Sequence, residues 1–278
     1  MRARMAKQAP ILGATDAHLT ERILRRISPI VVYLRSMAVV LIVWQLIHLR
    51  VGNPILLPSP LAVAESLYQL TRDGEILEHS FISLRRLAIG FGLAGLLGIP
   101  LGLFMGFSRL AQELIDPMIE VLRPISGIAW IPIALFIFGI GDELPIFIIF
   151  YGAFFPVVLN TIAGVRTVDP LLVRAAQTMG VTHRVIVSQV IFPAALPNIL
   201  VGTRLGAGAA WMSLVAAELI GAPSGLGFSV QWYRQLLMTS KVLAFIVVIG
   251  ILGYLTDRSL RLLQQRLTPW AVDTGGAR

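Results

Sequence analysis

Six stretches of about 20 apolar residues recur along this chain of 278, and no other feature constrains its fold as strongly. A helix needs ~20 residues to cross ~30 Å of hydrocarbon, where every backbone N–H and C=O must find its partner inside the protein. The runs lie near residues 30–49, 84–106, 112–138, 144–165, 194–220 and 242–261. A short amphipathic helix is expected near 60–72, ended by the turn residues Arg72, Asp73 and Gly74. The chain is 56% hydrophobic and 14% charged. A soluble domain carries roughly 25% charged residues, so this one lacks the polar surface to face water all round. The predicted class is all-α, a polytopic transmembrane helix bundle of about six spans. Its organisation reads as an N-terminal segment at 1–29, a membrane domain at 30–270 with a polar loop at about 167–193, and a tail at 271–278.

Charge sets the expected orientation. The formal net charge is +8, and membrane proteins collect Lys and Arg on the cytoplasmic side. An even number of spans puts both termini on one side. Placing them in the cytoplasm gathers the N-terminal cluster with Arg109, Arg166, Arg174, Arg184, Arg258, Arg261 and Arg266 there. Arg50, Arg72, Arg85, Arg86, Arg234 and Lys241 fall on the other face; Arg85 and Arg86, near the outer start of the second span, are expected to snorkel or to pair locally.

The loop at 167–193 therefore faces the cytoplasm. Asp169 before Pro170 is a helix start, with a capping carboxylate and a proline in the first turn. That helix stops at Gly180, a left-handed cap position. Thr182 can cap a second short helix, which Pro193 is expected to separate from the fifth span. Ala175 and Ala176 give the first helix a shallow surface. Two readings fit these residues: an amphipathic connector in the headgroups, or a docking face for another protein.

The spacing A-A-x3-G-x9-h-x-h-P, carried here by Ala175, Ala176, Gly180, Val190, Phe192 and Pro193, resembles the cytoplasmic signature of permease subunits of ATP-binding-cassette importers. Arg174 stands where many members have Glu. The similarity spans roughly 55–270 and includes "DPMIEVLRPISGIAWIPIALFIFGIG", "LVAAELIGAPSGLGFSVQ" and "LRLLQQRLTPW", which look like the taurine, aliphatic sulfonate, nitrate and bicarbonate branch, the taurine and sulfonate members above all. The resemblance implies a type I importer permease fold in a bacterial plasma membrane. It also implies a second permease copy, two ATPase subunits that bind the ATP, and an external substrate-binding protein. The loop would then be the coupling helix, with Arg174, Ala175, Ala176, Gly180, Thr182, His183, Arg184 and Pro193 forming the dock.

Within the spans, Gly90, Ala94, Gly98, Gly102 and Gly106 line one face of the second, and Gly202, Gly206 and Ala210 one face of the fifth. Such faces let helix backbones approach closely where lipid offers no hydrophobic contrast. Pro117, Pro124 and Pro132 are expected to bend the third span. Charges at membrane depth cost roughly 2.5–3.5 kcal/mol on insertion scales and are candidates for function. Arg123 either pairs with Glu120 one turn earlier or stands by the pathway as a cation for an anion. Arg204 is nearer the inner half, where it can point to headgroups. Glu218, near the outer end, resembles the family's external gate region. Trp130 and Trp211 line a cavity or, the preferred reading, fill the bundle core.

The sequence has no G-x4-G-K-[ST] phosphate loop, no H-E-x-x-H, no G-x-S-x-G and no cysteine, and its four histidines are scattered. No catalytic residue, metal or bound cofactor is expected, and a membrane enzyme lacks a constellation to work with. A stand-alone secondary transporter would favour mid-membrane coupling carboxylates and inverted repeats. The expected function is that of an importer permease for a small oxyanion, taurine or an alkanesulfonate, with nitrate, bicarbonate or another small solute as the alternative.

Overall fold

The computed structural model describes residues 14–274, and every regular element among them is helical. The chain divides into two compact units, residues 1–62 and 63–278. The first holds helix α1 (Ala14–Val51), whose segment Leu34–Val51 is long and apolar enough to span a membrane. Its end is tied down by its own loop: Trp44 Nε1 donates to the carbonyl of Pro58 at 3.1 Å, and His48 Nδ1 lies 2.7 Å from that of Leu57.

The second unit is built around three long helices, α3 (Glu75–Phe107), α6 (Glu143–Arg166) and α9 (Phe192–Gly221). The short helix α2 (Pro60–Arg72) precedes them, where the sequence places it. The small-residue faces meet α6. A methyl on Gly102 would sit 2.6 Å from Thr161 Cβ and 2.8 Å from the Val158 carbonyl oxygen; one on Gly202 would sit 2.5 Å from Asn160 Cβ. Ala94, Ala153, Ala210 and Val157 are fully buried along these seams. Backbone-to-side-chain approach of this kind supplies the dispersion contacts that hold helices together in lipid.

The third span differs from a single bent helix over 112–138. It is two helices, α4 (Arg109–Leu122) and α5 (Ile131–Phe138, entered through a 3₁₀ turn at Gly127–Trp130), set at 82° to each other. Pro117 lies inside α4 without splitting it, and Pro132 sits in the first turn of α5, where its missing N–H costs nothing. The break falls at Arg123–Ser126, around Pro124. The Leu122 carbonyl there accepts from the Ile125 N–H at 3.1 Å and from the Tyr151 hydroxyl of α6 at 2.7 Å. Ser126 Oγ accepts from the Ile128 N–H, capping the next turn.

The fifth span also departs from expectation. Pro193 does not separate it from the preceding short helix. A single turn α8 (His183–Val185) runs through a π-helical segment, Ile186–Ile191, straight into α9. The Phe192 N–H reaches back five residues to the Val187 carbonyl. This wider turn gives the proline ring room that an α-helical turn denies it. Helix α10 (Leu226–Gln235) and the last span α11 (Thr239–Leu267) complete the unit.

The packing at Gly102 predicts that Gly102→Val, meeting both a side chain and a backbone carbonyl, destabilises the chain by at least the ~1–3 kcal/mol typical of overpacking. Thermal unfolding in detergent should show a lowered midpoint. Gly92→Ala, which meets open space, should leave it unchanged.

Candidate functional sites

The loop at 167–193 is held by caps at both ends of its first helix and by an apolar anchor. Asp169 accepts a hydrogen bond from the Leu171 N–H at 2.8 Å, starting helix α7 (Pro170–Thr178). At its other end Gly180 has φ +74°, its N–H bonds to the Gln177 carbonyl at 3.0 Å, and the Val181 N–H bonds to that of Ala176 at 3.3 Å. That pair of bonds is a Schellman cap, completed by packing of Val181 in the same apolar cluster as Ala176 and Val173. The cluster is centred on Val165, Ile186, Ile191 and Ala195 and anchors the loop to the ends of α6 and α9. The two alanines consequently point apart: Ala176 packs inward, and Ala175 is exposed beside Leu171, Arg174 and Met179. Thr182 and Arg184 are exposed, and the Thr182 carbonyl accepts from the Val185 and Ile186 N–H groups. The side chain of His183 lies outside the described residues.

The second assembly surrounds Glu218, near the end of α9. Its carboxylate is 1% exposed and takes hydrogen bonds from Arg86 Nη1 at 2.8 Å, from the Ser83 hydroxyl at 2.8 Å and from the Gly227 N–H at 2.9 Å. Arg86, with no exposed surface, also donates to Asp142, to the Ser224 carbonyl at 2.6 Å and to Ser224 Oγ at 2.9 Å. Arg85 pairs with the same Asp142. Pairing is thus the fate of both arginines, with partners that are distant in sequence. One guanidinium joins α3, the start of α6, the end of α9 and the turn into α10. Gly225 makes the turn possible: its φ is +112°, and a methyl there would sit 2.2 Å from the Glu218 carboxylate. Burial works to raise the Asp142 pKa, but the hydrogen bonds and charge of Arg86 and Arg85 outweigh it and hold the carboxyl below its ordinary value. The Asp142 arm is therefore intact above the ordinary carboxylate range and is lost only as pH falls through this lowered value.

Arg204 does not reach for headgroups. It forms a two-point ion pair with Asp257 of α11, Nε to Oδ1 at 2.5 Å and Nη2 to Oδ2 at 3.2 Å, and Arg261 joins the same carboxylate.

Arg123 lies at the α4–α5 break, and no ion pair joins it to Glu120 or to another carboxylate among the described residues. It is exposed to a cavity of about 620 Å³ between the break, the middle of α6 and the middle of α9. Trp211 is buried in the bundle, and Trp130 packs half-buried beside Tyr151, ring centroids 5.8 Å apart. Both indole N–H groups are buried without a partner among the described residues.

Glu218, Arg204 and Arg123 were legible as isolated intramembrane charges. Arg86, Ser83, Asp142 and Asp257 were not assigned to them, although an Arg-Arg pair at a span start and a lone acid in a distant span share a need for counter-charge.

Removing one partner of a buried ion pair strands the other, at a cost of about 3–5 kcal/mol. Arg86→Met should therefore lower the thermal midpoint sharply, and Arg86→Met with Glu218→Met should recover part of the loss. A single variant as stable as the wild type would contradict the assigned geometry.

Comparison with known proteins agrees with this architecture. The family model described as "Binding-protein-dependent transport system inner membrane component" matches residues 98–269. The taurine transport system permease protein TauC of Escherichia coli is 41% identical over 241 residues, covering 84% of this chain and 88% of that protein. The putative aliphatic sulfonates transport permease protein SsuC of Bacillus subtilis is 40% identical, covering 84% and 85%. The nitrate import permease protein NrtB of Synechocystis is 33% identical, covering 84% and 88%. In fold, a chain of the inward-facing MetNI methionine ABC transporter superposes with TM-score 0.61 at 19% identity, covering 69% of this chain and 96% of its own. With the matched region spanning more than half its length, the chain belongs to the binding-protein-dependent inner-membrane permeases of ATP-binding-cassette importers.

Proposed function

We propose that two copies of this chain pair to form an import pathway for taurine or an alkanesulfonate, driven by two ATPase subunits and fed by an external binding protein. The termini and the 167–193 loop face the cytoplasm in this reading, as the distribution of Arg and Lys favours. The taurine and sulfonate permeases at about 40% identity support the substrate class. A nitrate permease at 33% keeps an inorganic oxyanion as the second reading.

The observation that carries the coupling role is the face of α7. Leu171 and Met179 are 70% and 80% exposed on a helix capped at both ends and pinned to the bundle core from behind. An isolated nine-residue helix is marginal in water. Here both caps and an apolar anchor hold it, which suits a lever that passes a push from a docked partner to α6 and α9. Arg174 beside Ala175 meets an acidic group on that partner. ATP-driven closure of the ATPases draws the two loops together and opens the outer side; hydrolysis resets it. The chain supplies the path and the lever, and the partner ATPases supply the nucleotide chemistry.

Reconstitution tests this. Liposomes holding the permease with its ATPase, given the binding protein, should take up radiolabelled taurine or ethanesulfonate only with ATP inside. Uptake by the purified chain alone, driven by an ion gradient, would sink the proposal. Gly180→Ile introduces a β-branched residue at φ +74°, which costs roughly 1–2 kcal/mol locally. It should leave membrane insertion intact while uncoupling ATP hydrolysis from uptake; unchanged uptake would make the loop a mere connector.

A further inference from the structure

The cavity at the helix break has a chemical character that the family resemblance does not specify. Its walls come from the break (Arg123, Ser126), the middle of α6 (Gly152, Phe155) and the middle of α9 (Leu205, Ser213). Arg123 directly follows the 14 residues of α4, at the break of the bent third span. A guanidinium within an apolar bundle and without a carboxylate partner is costly unless something anionic or wet faces it. Arg86 and Arg204 are both neutralised by carboxylates. Arg123 has no carboxylate partner among the described residues and lines this cavity.

The neighbouring groups extend the pattern. Ser213 has no hydrogen bond among the described residues. Its hydroxyl occupies space that only a glycine leaves open, since a methyl on Gly152 would sit 2.2 Å from its Oγ. Phe155, Leu159, Leu205 and Met212 give the cavity an apolar wall, Tyr151 and Asn160 complete its polar lining, and no Asp or Glu lines it. One positive charge, a free hydroxyl and an aliphatic wall together match an anionic head with an uncharged tail.

We propose that this cavity is a transient substrate site for a small organic monoanion, an alkanesulfonate, with Arg123 holding the sulfonate oxygens, Ser213 donating to them and the Leu205–Met212 wall packing the alkyl tail. The proposal rests on the permease reading above and narrows it. An inorganic oxyanion leaves the apolar wall unused, and the ammonium of taurine meets no carboxylate there. The site's volume of about 620 Å³ admits a five-carbon sulfonate and falls within the ~300–1,000 Å³ of ordinary ligand pockets.

The test uses the permease–ATPase complex in nanodiscs, without the binding protein, titrated with pentane-1-sulfonate, taurine and sodium nitrate. The expected result is saturable binding of pentane-1-sulfonate, tighter than that of taurine or nitrate. Arg123→Gln should weaken it by roughly 10- to 100-fold, the range for a hydrogen bond to a charged group, and Arg123→Lys should restore most of it. If Arg123→Gln fails to assemble, Ser213→Ala decides: weakening by about threefold or more supports the site, and unchanged affinity overturns it. Equal binding by an assembled Arg123→Gln complex, absence of saturable binding, or tighter binding of taurine or nitrate also overturns it. Wild-type uptake in liposomes separates the two claims. ATP-driven uptake together with any of these negative results removes the cavity site and leaves the permease reading standing, whereas absence of ATP-driven uptake removes both.

Discussion

The close approach of α6 to α3 and α9 is the contact on which the rest of the structure depends. In lipid, apolar side chains gain nothing by leaving one oily neighbour for another, so association rests on how near two backbones can come. Gly102 and Gly202 bring α3 and α9 so close to α6 that a single methyl at either would overlap a neighbouring side chain. This three-helix core makes a fixed frame, and each candidate site is an interruption in a helix that the frame supports.

Those interruptions share one rule: a backbone group freed inside the membrane finds a partner on a neighbouring element. At the α4–α5 break the Leu122 carbonyl is shared between the Ile125 N–H and the Tyr151 hydroxyl of α6. At the turn into α10 the Leu226 and Gly227 N–H groups are taken by Ser83 and Glu218. Before α9 the chain widens into a π turn, and the helix continues through Pro193 without a break. The same economy governs charge. Arg86 and Arg204 are neutralised by carboxylates from other helices, whereas Arg123 is left facing a cavity. The break that makes room for the cavity also delivers its cation.

Much of the fold was legible because hydropathy reports solvent and length together. The spans, the α2 helix, the glycine faces and the caps at Asp169 and Gly180 follow from local residues. What the sequence hid was pairing across it. Arg86 and Glu218 lie 132 positions apart, and nothing local to "SLRR" says which acid will meet it. Pro193 misled for a related reason: proline reads as a break because an α-helical turn excludes it, and only the π turn, set by packing of Ile186 and Ile191 against the core, removes that conflict. Ala175 and Ala176 are chemically identical neighbours, and only the direction of α7 over the bundle assigns one inward and one outward.

The central claim is that energy enters this chain through the outward face of α7. The sequence has no cysteine, so a single Ala175→Cys carries a unique thiol for a photo-crosslinker of benzophenone type. In the assembled complex this probe should crosslink to the ATPase subunit in high yield, and the same probe on Leu77→Cys, exposed near the start of α3 and so at the opposite end of that helix from Gly106, should not. An ATPase that co-purifies and hydrolyses ATP yet is never captured from position 175 would contradict the account.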